Sequence, residues 1–155
     1  MVSEDAGPLL GVFGDPVVMA SFGAGPFERP QMDHWVARNL EHQDRYGFGL
    51  FSIERREDGL LIGDCGLEVQ DDGSGDVELG YDLRSDCWGQ GYATEAAMAV
   101  RDVAFGPLAL PRLISLIRQG NERSRRVAEK VGMQHDADLE RHGVLYWRYA
   151  ISAAR

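Results

Sequence analysis

Cysteine is scarce in these 155 residues: Cys65 and Cys87 alone make no disulfide framework and read as free thiols in a reducing cytoplasm. No apolar run approaches the roughly 18 residues of a membrane span. The first ten residues carry acids and no basic stretch, which argues against a secretory leader. Positive charge is also short: 16 Lys and Arg stand against 25 Asp and Glu, net −9. Binding to a phosphate backbone needs a basic footprint, so no direct nucleic-acid partner is expected, and no membrane partner either. His34, His42, His135 and His142 show no metal-ligand spacing, so no metal is expected. Repeats and low-complexity segments are absent. What remains is an ordinary globular composition, 44% hydrophobic, and the expectation is one soluble cytoplasmic domain over residues 1–155.

The few cations are not spread evenly. Between Arg112 and Lys130 lie Arg112, Arg118, Arg123, Arg125, Arg126 and Lys130 against only Glu122 and Glu129. A basic stretch in an acidic chain points to an anion site, or to a solvated helix face.

Periodicity gives the order ααβββαβαββ. Ser3 reads as an N-cap before Glu4 and Asp5, opening a short helix weakened by Gly7 and Pro8. Gly23 to Pro26 is a loop. From Pro30 to Tyr46, Met32, Trp35, Val36 and Leu40 recur at helical spacing. The period then turns to strands: Gly49–Arg56 and Leu60–Gln70 form a hairpin around Glu57-Asp58-Gly59, and Asp76–Leu83 is a third strand. After a glycine-bearing loop, Ala93, Ala96, Ala97, Val100, Val103 and Ala104 share one helix face, stopped by Gly106-Pro107. Leu113–Ile117 is a strand. Asn121 opens a helix with Val127 and Val131 buried and Gly132 at its end. Met133–Leu139 and His142–Ile151 close the chain as a strand pair. The fold class is α/β (α+β), with a mixed, mostly antiparallel sheet flanked by helices.

The chemistry-bearing stretch is Val77-Glu78-Leu79-Gly80-Tyr81-Asp82-Leu83 followed by Trp88-Gly89-Gln90-Gly91-Tyr92-Ala93-Thr94-Glu95-Ala96. A strand runs through a two-glycine loop straight into a helix. First-turn amides without internal partners and the positive helix end form an anion cradle, and Gly89 and Gly91 let backbone come close to it. A tight structural turn has the same pattern. A dinucleotide fingerprint fails because Thr94 stands where its third glycine belongs, and a Walker loop fails because Gly91 is followed by Tyr92-Ala93.

These segments, with Asn121-Glu122-Arg123-Ser124-Arg125-Arg126-Val127-Ala128-Glu129-Lys130-Val131-Gly132-Met133, resemble the GNAT superfamily of N-acetyltransferases, in particular the ribosomal-protein N-terminal (RimJ/RimL-like) branch. The similarity of order and spacing covers residues 3 to 151. It implies acetyl-CoA as co-substrate, no metal, and direct transfer of the acetyl group to an amine in a ternary complex. It further implies that Asp86, Cys87, Trp88, Gly89, Gln90, Gly91, Tyr92 and Ala93 surround the CoA diphosphate. Backbone of Tyr81, Asp82 and Leu83 would pair with pantetheine. Asn121 would hold the pantetheine arm, Ser124 would donate to the leaving thiolate, and Arg126 stands for the basic residues near the phosphates. Glu78, on the strand facing the cleft, is the candidate general base. Asp86 departs from the family's usual Arg or Gln.

Other readings stand beside these. Asn121 and Ser124 also suit a helix cap and first turn, and Glu78 an ion-paired strand acid. Cys87 has no His–Asp arrangement and is not expected to act as a nucleophile. Cys65 reads as core. His34 and Trp35 could line a substrate cleft, but the core face of their helix is the better reading. Holding a lysine-type amine neutral at pH 7 costs about 4.6 kcal/mol and an α-amine about 1, which favours a weakly basic acceptor: a peptide N-terminus or a small-molecule amine. The alternatives are a non-catalytic acyl-CoA-binding module and an antibiotic-detoxifying acetyltransferase. Finally, relatives begin with a strand that this chain lacks. The Gly49–Arg56 strand is then expected as an open edge with Leu50, Phe51 and Ile53, to be covered by a homodimer partner or by a repositioned N-terminal segment, or merely solvated if the reading frame is shortened.

Overall fold

A computed structural model describes residues 1–154. Helices α1 (Ala6–Phe13), α2 (Pro16–Met19) and α3 (Arg29–Tyr46) come first, then strands β1 (Leu50–Glu54), β2 (Leu61–Val69) and β3 (Val77–Leu83). Helix α4 (Tyr92–Phe105), strand β4 (Arg112–Arg118), helix α5 (Glu122–Val131) and strands β5 (Gln134–Arg141) and β6 (Val144–Ser152) follow. The six strands form one sheet in the order β1-β2-β3-β4-β6-β5. No helix among the described residues is long and apolar enough to cross a membrane.

Only β3 and β4 run parallel, and they meet at one register pair, Glu78 with Ile114. By contrast β2 and β3 are in register from Val69–Val77 to Gly63–Leu83. Beyond Glu78 the two central strands diverge, and side chains stitch the gap. Leu116 N donates to Glu78 Oε1 at 3.1 Å, and Ser115 Oγ donates to the Leu79 carbonyl at 2.7 Å. Each replaces a ladder bond the splay forfeits.

Alternation sorts the two faces. Cys65, Leu67, Leu79, Leu113 and Ile117 meet Ala97 and Ala104 of α4 and Ala128 and Val131 of α5. The alanines let both helices lie close to the sheet. On the other face Leu9, Val12 and Phe13 of α1 and Met32 and Val36 of α3 gather around Leu61. Val103, expected on the buried face of α4, is 49% exposed, because the helical phase centres that face on Ala97 and Ala104 and turns Val103 about 100° away from it.

The N-terminus differs from expectation in two ways. Ser3 is not the cap: it lies inside a 3-10 turn, Ser3–Asp5, and the Asp5 carboxylate accepts Val2 N at 2.9 Å. Pro8 does no harm, since it falls in the first turn of α1. A further helix, α2, was not legible from the apolar period. Its signal is Asp15-Pro16: Asp15 caps by accepting Val17 N at 2.8 Å, and Pro16 takes the first helical position.

β1 is indeed a sheet edge, but not an open row. Leu50 is buried, and Asn39 of α3 pairs with it as a strand would. Asn39 Oδ1 accepts Leu50 N at 2.8 Å, while Asn39 Nδ2 and Gln43 Nε2 donate to the Leu50 carbonyl at 3.0 and 2.9 Å. The N-terminal residues lie beside the same edge. Ser52 Oγ donates to Asp5 Oδ2 at 2.7 Å, and Met1 Sδ sits 3.2 Å from Asn39 Nδ2. Phe51 remains 54% exposed.

Candidate active site

The C-terminal end of β3 and the N-termini of α4 and α5 converge where β3 and β4 part. They enclose a cleft of about 260 Å³. Tyr81, Asp82 and Leu83 line it from β3, and Cys87, Trp88, Gly89 and Gly91 from the loop. Tyr92, Ala93 and Thr94 contribute from α4, and Asn121, Arg123, Ser124, Arg126, Val127 and Lys130 from α5 and its cap.

The loop is built to leave backbone bare. Gly89 and Gly91 have φ of 74° and 87°, left-handed values that side chains rarely adopt, and a Cβ at either would meet nothing within 4 Å. Gly91 is the N-cap of α4 and supplies no side-chain acceptor, so the first-turn amides keep their donors for an incoming anion. At α5, Asn121 Oδ1 accepts Ser124 N at 3.3 Å, which makes Asn121 a helix cap while it also borders the cleft. Tyr81 ties the two elements together: its hydroxyl donates to the Ser124 carbonyl at 2.7 Å. Burial pushes the Tyr81 phenol up, so it stays a donor.

Several expected positions fall elsewhere. Asp86 and Gln90 do not line the cleft. Asp86 pairs outward with Arg84 at 2.9 Å, and Gln90 Nε2 donates to the Asp86 carbonyl at 3.2 Å. The Arg84 hydrogen bond holds the Asp86 carboxyl below its usual range. An acid at this place is therefore tolerated because it faces away with its own counter-ion. The Leu83 carbonyl, expected to be exposed, is taken by Trp88 Nε1 at 3.1 Å. Arg123 lies over the Trp88 ring, 3.6 Å from its centroid, a cation–π contact at the cleft wall.

Glu78 is not at the cleft either. It lies on the same face of β3 as Asp82 but four residues back along the strand, with Oε1 accepting Leu116 N and Oε2 accepting Gln70 Nε2 at 2.7 Å. Burial nevertheless lifts its pKa to about 7. The carboxylate that β3 does bring to the cleft is Asp82. Burial pushes the Cys87 and Cys65 thiols up, away from nucleophilic use. Trp35 packs on Phe13, centroids 4.8 Å apart, as expected of a core position, whereas His34 is exposed. The helical phase puts Met32, Val36 and Asn39 inward and leaves His34 on the outer side.

Unforeseen lining residues are Val18 and Ser21, carried by the segment that α2 begins. Asp15 fixes that segment by also accepting the Ser85 hydroxyl just after β3. Thr94, Arg123, Val127 and Lys130 follow from the helical phase of elements already expected. The residues present fit an acylated coenzyme: bare amides and three cations suit its phosphates, and Val18, Leu83 and Val127 suit a thin, partly apolar arm.

Comparison with known proteins agrees. The Acetyltransferase (GNAT) domain family matches residues 1–134. The uncharacterized protein YkkB of Bacillus subtilis is 34% identical over 143 residues, 91% of this chain and 83% of that one. The uncharacterized N-acetyltransferase p20 of Bacillus licheniformis is 29% identical over 140 residues, 90% and 79% of the two chains. The crystal structure of a GNAT-family acetyltransferase from Bacillus anthracis superimposes with a TM-score of 0.84 at 24% identity, covering 98% of this chain and 91% of that one. The same fold is shared at 15% identity by a ribosomal-protein-S5-alanine acetyltransferase from Vibrio fischeri (TM-score 0.77, 98% and 90% covered). An aminoglycoside acetyltransferase in complex with coenzyme A shares it at 14% (TM-score 0.81, 98% and 91%). The ribosomal-protein branch is thus one of several neighbours. The chain belongs to the GNAT acetyltransferase family and is an acetyl-CoA-dependent N-acetyltransferase.

Proposed function

We propose that this chain, acting as a single domain in the cytoplasm, acetylates an amine held at the mouth of the β3–β4 splay. The amine is that of a small molecule or a peptide N-terminus. The observation that carries the reading is the convergence of two helix starts, α4 and α5, on one cleft beside a strand end. Acetyl-CoA supplies the acetyl group as a thioester, open to direct attack by a neutral amine. The chain's part is to hold and to place. Amides of Gly89 to Ala93 would cradle the diphosphate, with Arg123, Arg126 and Lys130 countering phosphate charge. Asn121, already fixed as a cap, would present its remaining amide to the arm. The Ser124 hydroxyl, whose main chain is anchored by Tyr81, would donate to the departing thiolate. Asp82, which lines the cleft, would receive a proton from the amine in place of Glu78.

The test is thiol release from acetyl-CoA with a panel of amines and peptides. Ser124→Ala should lower kcat by about 10- to 100-fold with little change in the KM for acetyl-CoA, as expected for an interaction made chiefly in the transition state. A full-rate variant would return Ser124 to a helix-surface role.

A further inference from the structure

Asp64 on β2 stands directly opposite Asp82 on β3, and Glu68 stands opposite Glu78. Between the two acid pairs, Gly66 faces Gly80. By alternation all six positions share the sheet face turned away from α4. Like charges directly opposite each other destabilise a sheet, so four carboxylates on one face ask for a counter-charge.

Asp64 makes the need acute. It is wholly buried, and neither of its oxygens finds a hydrogen-bond partner among the described donors. It stands across the ladder from Asp82, and Asp82 lines the cleft. The buried, unpartnered acid is thus the immediate cross-strand neighbour of the one β3 carboxylate that reaches the cleft. There is room beside it: a Cβ at Gly80 would meet no atom within 4 Å. Burial holds Asp64, Glu68, Glu78 and Asp82 above the ordinary carboxylate range, and the nearby guanidinium groups, Arg38 by Glu68 and Arg141 by Glu78, offset that only in part. The acids are strung along the strands, not converged. No three His, Cys, Asp or Glu side chains among the described residues form a group fit to hold a metal ion. A charge distributed along a molecule matches them better.

We propose that this strip is the acceptor subsite for a small polycationic amine, with Asp82 and Asp64 facing the amino group to be acetylated and Glu68 and Glu78 facing a second one. Asp82 and Glu78 are four residues apart, about 13 Å at ~3.3 Å per residue. The inference rests on the acetyl-transfer reading above and names its substrate class.

The experiment is calorimetric titration of the purified chain, at fixed ionic strength, with spermidine, kanamycin and the single-charge control hexylamine. Folding of each variant is checked by thermal melting. Wild type should bind spermidine or kanamycin at least tenfold more tightly than hexylamine, and which of the two is favoured separates an extended from a ring-built acceptor. Glu68→Gln and Gly80→Val should each remove most of that preference; the second fills the open space with no change of charge. Glu140→Gln, which removes an equal charge from an exposed site on distant β5, should leave it intact. No preference in wild type, equal loss in Glu140→Gln, or full retention in Gly80→Val overturns the inference. Thiol release with single amines or peptide N-termini but no polyamine binding would sink the subsite and leave acetyl transfer standing. Polyamine binding with no thiol release from any amine would do the reverse.

Discussion

At single positions, backbone geometry and burial make the sharpest claims. Gly91 combines a φ of 87° with open space on its Cα, so Gly91→Val both strains the turn and blocks the approach to the α4 amides. Calorimetry with CoA should show affinity reduced at least tenfold, and an unchanged value would remove the loop from the coenzyme site. Glu78 makes a claim about pH. Its folded pKa of about 7 exceeds the ordinary carboxylate value because it is buried. The folded state therefore binds the proton more tightly than the unfolded chain, and the stability tied to Glu78 is full below about pH 4.5 and lost as pH rises through about 7. A shift of roughly 2.5 units corresponds to about 3 kcal/mol. The acids with depressed values, such as Asp15, Asp58 and Asp72, act in the opposite sense but below pH 4. Melting temperature should fall between pH 5 and 8 in the wild type and fall less in Glu78→Gln. Equal slopes would show that Glu78 titrates normally. The acid strip that contains Glu78 was written in the sequence as Asp64, Glu68, Glu78 and Asp82. Only the β2–β3 register turns those four letters into facing pairs, and register is a long-range property that pattern alone does not fix.

At the scale of elements, local chemistry was legible wherever it was periodic or glycine-punctuated. The alanine face of α4, the Asn121 start and Gly132 end of α5, and the hairpin β1–β2 could all be read within two residues of their bounds. What escaped depended on contacts between distant segments. The short helix α2 carries too few apolar positions to show a period, and its cap, Asp15-Pro16, is its only local sign. The edge of β1 looked bare because its partner is a side chain, Asn39, eleven residues away on a helix. Asn39→Ala would strand the buried N–H of Leu50, while its carbonyl keeps Gln43 Nε2, at a cost of about 1–3 kcal/mol. Urea unfolding should show a loss in that range. The same variant should associate more strongly with rising concentration in sedimentation than the wild type does, since the freed rung then offers itself to another chain. A variant of unchanged stability would mean that water serves the edge as well as Asn39 does.

Across the whole molecule, charge is partitioned by task. The net −9 is broken at the α5 end of the cleft by Arg123, Arg126 and Lys130, while the opposite face of β2 and β3 carries facing acids. An anionic coenzyme and a cationic acceptor would thus approach from regions of opposite sign and meet at the gap between the two central strands. That gap has a mechanical consequence. With one rung between β3 and β4, the sheet is two leaves, β1–β2–β3 and β4–β6–β5, sewn along a short seam by Glu78 and Ser115. A seam so short breathes readily, and whatever lodges between the leaves acts as a wedge that holds their spacing and stops their flutter. Amide hydrogen exchange should find Asp82, Leu83, Ile117 and Arg118 opening independently of the strand interiors, and should slow at those four positions by about tenfold or more on saturation with CoA. Exchange there as slow without CoA as with it would mean that the two leaves are already one rigid plate, and that the gap is a fixed slot.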